Sequence, residues 1–102
     1  MDELLPIGSV VSLGDSGQIY SMILGYYLKN DSQRKIYDYI GVLYPFGITG
    51  DSDLIPFDRT DIHEVLFQGY QSDNCKAVCK ALPKIMQHIS YENIHEIESI
   101  EF

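Results

Sequence analysis

Lys35-Ile36-Tyr37-Asp38-Tyr39-Ile40-Gly41-Val42-Leu43-Tyr44-Pro45-Phe46-Gly47 is an aromatic, β-branched run that stops at a Pro and Gly turn. Val, Ile and Tyr suit a pleated surface, whereas Pro45 and Gly47 end one. Side chains alternate along a strand, so Tyr37, Tyr39, Gly41 and Leu43 share one face and Ile36, Asp38, Ile40, Val42 and Tyr44 the other. Asp38 is the odd member of an apolar row. The run reads as the central strand of a small sheet.

On its N-terminal side, Ser9 to Leu13 is a short β-branched strand, and Gly14-Asp15-Ser16-Gly17 is a turn. Gln18 to Leu28 is a long apolar strand, with Tyr20, Met22, Leu24, Tyr26 and Leu28 on one face and Ile19, Ser21, Ile23, Gly25 and Tyr27 on the other; Gly25 marks a bulge or a close approach. Lys29 to Arg34 is a polar hairpin connection, which makes these three strands a meander. On the C-terminal side, Ile48 to Arg59 has the composition of an irregular loop anchored by Leu54, Ile55 and Phe57. Asp61 to Tyr70 is a fourth, more polar strand at an edge, with Val65 and Phe67 on one face and Ile62, Leu66 and Tyr70 on the other.

Ser72 is placed to cap a helix over 72–90, whose apolar arc is Val78, Leu82, Ile85 and Ile89 flanked by Cys75, Cys79 and Met86. Lys76, Lys80 and Lys84 stand on the opposite arc as a solvated ridge, and Pro83 bends the helix or starts a second segment. Residues 91–102 form an acidic C-terminal segment in which Ile94, Ile97 and Ile100 serve to dock on the domain or on a partner. The expected fold is α+β in a single domain over 1–102, with a β-rich region over 4–71. Its sheet is mostly antiparallel, four-stranded and curved or a partly open barrel, with the C-terminal helix on one face or across its mouth.

Composition narrows the function classes. Among 102 residues, 45% are hydrophobic, with eight Tyr and four Phe, which argues for a packed core rather than disorder. Fifteen acids against seven basic residues give a net charge of −8, which repels phosphate backbones, so no nucleic-acid partner is expected. The acidic start, Met1-Asp2-Glu3, lacks the basic region of a signal peptide, and no apolar run is long enough for a membrane span, so the cytosol is the expected location and no membrane partner is expected.

The chemistry inventory is short. Cys75 and Cys79, four residues apart on one helical face, read as buried free thiols rather than as a bridge, a redox pair or half of a metal site. His63, His88 and His95 have no zinc-site spacing, and Asp51, Asp53 and Asp58 lack the glycine and distal glutamate of a calcium loop. No serine sits in a nucleophile elbow, and Asp38 has no nucleophile, base or stabiliser grouped with it in sequence. No catalytic residue, metal ligand or cofactor is assigned.

Three stretches in order, Leu5-Pro6-Ile7-Gly8-Ser9-Val10-Val11, then Tyr37 to Gly47, then Asp61 to Tyr70, resemble the serial motifs of a small bacterial family, domain of unknown function 4176, over about residues 4 to 72. Its members occur in Gram-positive bacteria beside toxins of the LXG class exported by the type VII secretion system. The resemblance implies a small cytosolic, non-enzymatic chaperone or targeting factor whose partner is such a toxin; the alternative is an immunity protein, whose acidity would suit a basic toxin surface. A small enzyme or ligand-binding barrel is a third reading. Tyrosine is large, semi-rigid and polar at its tip, so the candidate partner-binding residues are Tyr37, Tyr39, Tyr44, Phe46 and Tyr70, each of which competes with a place in the core.

Overall fold

The computed structural model describes residues 3–50 and 53–93. It is α+β: an open five-stranded antiparallel sheet with one helix against it. The strands are β1 (Val10–Leu13), β2 (Ile19–Asn30), β3 (Lys35–Leu43), β4 (Leu54–Phe57) and β5 (Ile62–Phe67), followed by α1 (Asp73–Met86). Spatial order is β4-β3-β2-β1-β5, so the chain runs as a meander outward to β4 and then crosses back to lay β5 beside β1. The expected meander and the edge position of the last strand both hold.

The sheet has one strand more than expected. Leu54-Ile55-Pro56-Phe57 pairs with β3, Phe57 opposite Tyr39 and Leu54 opposite Val42. Its flanking Gly and Asp residues and its Pro carry the composition of a loop, but Pro is tolerated in a strand at a sheet edge. Phe57 does anchor the stretch: it is 3% exposed and stacks on Tyr39 with ring centroids 5.4 Å apart.

Two irregularities redistribute the faces. The β2–β3 register shifts between Ile23, opposite Gly41, and Gly25, opposite Ile40. One extra residue at a bulge reverses the alternation beyond it, so Tyr26 leaves the face of Tyr20 and Met22 and joins Ile23 in the core. Tyr27 also packs on the core and holds a φ of 57°, outside the region open to bulky side chains. On β5 the register shifts between Val65, opposite Val11, and Phe67, opposite Val10, which puts those two side chains on opposite faces rather than together. Gly41 fits because a Cβ there would lie 2.6 Å from the Met22 carbonyl oxygen.

The core lies between the sheet and α1: Val11, Leu13, Ile23, Tyr39 and Phe57 with Leu4 and Cys79. Ser72 caps α1, its hydroxyl accepting from the Cys75 N–H at 3.1 Å. The helix runs through Pro83 without starting a second segment. A proline lacks the N–H that would bond four residues back, and the Cys79 carbonyl takes the Leu4 N–H instead, at 3.0 Å. Leu5 completes the clamp, donating its N–H to the Tyr39 hydroxyl at 3.0 Å and accepting from the Tyr26 hydroxyl at 2.6 Å. The N-terminal segment is thus fastened between helix and sheet. Cys75, Cys79, Leu82 and Pro83 form the inner face of α1, while Val78 and Ile85, expected inside, are 45% and 53% exposed. A 3₁₀ turn at Tyr91–Asn93 follows; Ile94, Ile97 and Ile100 lie outside the described residues.

Candidate functional site

Cross-strand partners share a face, and four pairings join into one line: Leu54 opposite Val42, Val42 opposite Met22, Met22 opposite Val10, and Val10 opposite Phe67. An apolar side chain from every strand therefore stands in a single row on the face away from the buried core. Four inter-strand spacings make this row ~19 Å wide. Beside it Tyr20 lies next to Tyr44, whose N–H donates to the Tyr20 carbonyl at 2.9 Å. Gly8, Val10, Tyr20, Met22, Tyr44, Leu66 and Phe67 line a groove of about 560 Å³ on this face. Phe67 is 62% exposed, and Tyr20, Tyr44, Leu54 and Leu66 are each almost half exposed. An antiparallel sheet commonly shows one face to water, but that face is ordinarily polar. A contiguous apolar patch is the mark of a contact surface.

Of the five residues expected at a partner surface, the structure brings Tyr44 alone to this groove. Tyr39 is corrected to a core residue: it is 2% exposed, between Tyr26 and Phe57, and its hydroxyl is held by Leu5. Tyr37 is half-buried near the start of β3, with the Lys35 ammonium 4.4 Å from its ring centroid and its hydroxyl donating to Gln33. Phe46 is exposed in the turn after β3, where the Tyr44-Pro45 bond is cis. Tyr70 is exposed on the rim of a separate apolar slot lined with Ile7, Tyr26, Val78 and the two cysteines. Val10, Met22, Leu66 and Phe67, which also line the groove, lie outside that expected set, as do Leu54, almost half exposed in the row, and Val42, which at 4% exposed is buried within it. One signal for them was present: β2 is apolar on both faces, and a single helix covers one.

The titratable groups are occupied with structure. Asp38 accepts from the Arg59 N–H at 3.0 Å, and its own N–H donates to Asp58 at 3.0 Å, so the two side chains carry the β3–β4 pairing past the last strand residue. Asp58 also takes Lys35 at 2.7 Å, which raises the lysine's affinity for its proton. The Asp58 N–H donates to Asp61 at 2.9 Å. Burial, and then the Cys79 thiol 3.4 Å away, push the Tyr26 phenol well above its ordinary range. Cys75 and Cys79 are free, with sulfurs 3.8 Å apart, and burial pushes the Cys75 thiol up, away from the reactive thiolate. The Tyr27 hydroxyl is shut away from solvent with no hydrogen-bond partner, at a cost of ~1–3 kcal/mol for an unsatisfied group; burial and then the Asp38 charge push its proton affinity up to about 12. Among the described residues no three His, Cys, Asp or Glu side chains gather as a metal site, and no helix is long and apolar enough to cross a membrane.

The family model described as Domain of unknown function (DUF4176) matches residues 4–77, from the clamped Leu4 through the whole sheet to the first turn of α1. No curated protein and no solved structure matches the chain.

Proposed function

We propose that this protein, which belongs to the DUF4176 family, is a non-enzymatic protein-binding accessory that holds an LXG-type toxin in the cytosol before export by the type VII secretion system. The observation that carries this reading is the apolar row running through all five strands on the face opposite the core. A rigid sheet presents Tyr20, Met22, Tyr44, Leu66 and Phe67 without ordering a loop, so little conformational entropy is lost on contact. Tyr and Phe on such a platform supply large contact area around an apolar centre. The clamp on Leu4 and Leu5 and the carboxylate bonds to backbone N–H groups support a scaffold rather than a reaction centre.

The net charge of −8 favours a second reading, an immunity protein that masks a basic toxic surface. Co-expression with a neighbouring LXG toxin, its N-terminal export region and C-terminal toxic domain presented as separate baits, distinguishes the two. Capture by the export region with increased soluble yield is the expected result. Capture by the toxic domain with loss of toxicity establishes immunity instead, and binding to neither overturns both.

A further inference from the structure

A third cavity, about 190 Å³, lies between the far ends of β2 and β3 and the C-terminal end of α1. Ile36, Pro83, Met86 and Ile89 form its apolar walls, Asp38 and Gln87 its polar side, and Tyr27 lines it with its hydroxyl shut away from solvent. Two of these lining residues are unusual. Tyr27 combines a φ of 57° with a hydroxyl that has neither solvent nor partner, and backbone strain of that kind is held in place by its surroundings and concentrates at functional sites. Asp38 is half-buried, takes a backbone N–H from Arg59, and has no cation in ion-pair range among the described residues. The adjoining Asp58, by contrast, has Lys35. The other cations of the β2–β3 hairpin are also committed, Lys29 to Asp31 and Arg34 to Glu92.

We propose that this cavity binds one cationic group on an aliphatic stem, an alkylammonium or a guanidinium. The volume falls below the roughly 300–1,000 Å³ of sites for drug-sized ligands and suits a single side chain or a small amine. The head meets the Asp38 carboxylate in a charge-assisted hydrogen bond and the electron-rich face of the Tyr27 ring. The stem lies along Ile36, Pro83, Met86 and Ile89, as the methylenes of buried lysines and arginines do. The molecule's negative charge concentrates cations at its surface. A neutral or anionic ligand of the same shape leaves Asp38 without a counter-charge.

The source is either a free amine or a Lys or Arg side chain of another protein, and an NMR titration of the ¹⁵N-labelled chain separates them. The probes are n-butylammonium and a capped Ala-Ala-Lys-Ala-Ala peptide, with n-butanol and the norleucine peptide as neutral controls. The expected result is saturable shifts of the Tyr27, Ile36, Met86 and Ile89 amides with a cationic probe and not with its neutral control. Asp38→Asn is expected to weaken the binding about tenfold, the loss of a charge-assisted contact. Met86→Trp, which fills the cavity and leaves Asp38 intact, abolishes it. Tighter binding of butylammonium identifies a free amine, and tighter binding of the peptide identifies a protein side chain. Equal shifts from neutral and cationic probes, no shift from any probe, or unchanged binding in a folded Met86→Trp protein overturns the proposal. The result is separable from the toxin-holding reading, because a Phe67→Lys protein that loses toxin capture is expected to bind the cationic probe unchanged.

Discussion

On the covered face of the sheet, Val11, Ile23, Tyr39 and Phe57 lie under α1, and the tyrosines Tyr26 and Tyr39 spend their hydroxyls on the two backbone groups of Leu5. On the other face, Val10, Met22, Val42, Leu54 and Phe67 form an equally apolar row, and Tyr20 and Tyr44 stand beside it almost half exposed. Both faces are made of the same residue types. What separates them is closure: one has a helix and a fastened N-terminal segment, and the other presents a groove. Hydrophobicity along a strand therefore marks surfaces that want a partner without saying whether the partner lies in the same chain.

The largest test of this contrast compares one residue from each face. Ile23→Ala empties a fully buried site and is expected to cost about 2–5 kcal/mol in urea denaturation. Phe67→Ala is expected to stay within about 0.5 kcal/mol, as substitutions outside the packed core do. Similar losses for the two would dissolve the distinction between the faces.

Alkaline pH probes the covered face as a whole. Burial raises the proton affinity of Tyr26, Tyr27 and Tyr39 above the ordinary value of 10.0. The folded state then binds more protons than the unfolded one above pH 10, so stability is fully present below that pH and falls as the pH rises through it. Each tyrosine contributes a slope of at most about 1.4 kcal/mol per pH unit, reduced where water screens the group. Thermal melts read alongside tyrosinate absorbance are expected to show a melting temperature that is level up to about pH 9 and falls beyond pH 10. Ionisation of these three phenols well before unfolding would contradict it.

Smaller effects sharpen the account at single atoms. Tyr26→Phe removes the hydroxyl that serves Leu5 and Cys79 and is expected to cost about 1–3 kcal/mol, with faster hydrogen exchange at Leu4 and Leu5. Tyr27→Phe deletes an unsatisfied buried hydroxyl, and the expected change is a gain of up to about 1 kcal/mol by the same denaturation measurement. A loss there would mean that the Tyr27 hydroxyl has a partner in solution.

Much of the fold was legible from local chemistry. The turn at Gly14 to Gly17, the three-strand meander, the irregularity at Gly25 and the Ser72 cap each rest on residues close in sequence. The failures share a cause in long-range pairing. β4 is a strand because β3 offers it an edge, although its composition is that of a loop. Tyr26 moved to the core because the bulge at Gly25 reverses the alternation, a consequence that depends on the register with β3. Pro83 is tolerated because Leu4, far away in the chain, supplies the N–H that bonds the Cys79 carbonyl. The five-strand row was beyond reach for the same reason: it exists only once four registers are fixed. Tyr44 reaches the groove because it extends the most recognisable strand, whereas Tyr39 carries the same aromatic signal into the core.

Whether the open sheet face is the surface that meets the proposed partner is decided by calorimetric titration of the export region of a neighbouring LXG toxin into three proteins: the unaltered chain, Phe67→Lys on the open face, and Ile85→Lys on the outer side of α1. Both substituted positions are more than half exposed, so both variants should fold. Phe67→Lys is expected to weaken binding at least about tenfold, as loss of an aromatic anchor does, and Ile85→Lys to leave it unchanged. Unchanged binding by Phe67→Lys together with loss in Ile85→Lys would move the contact surface to the helix and contradict the open-face assignment.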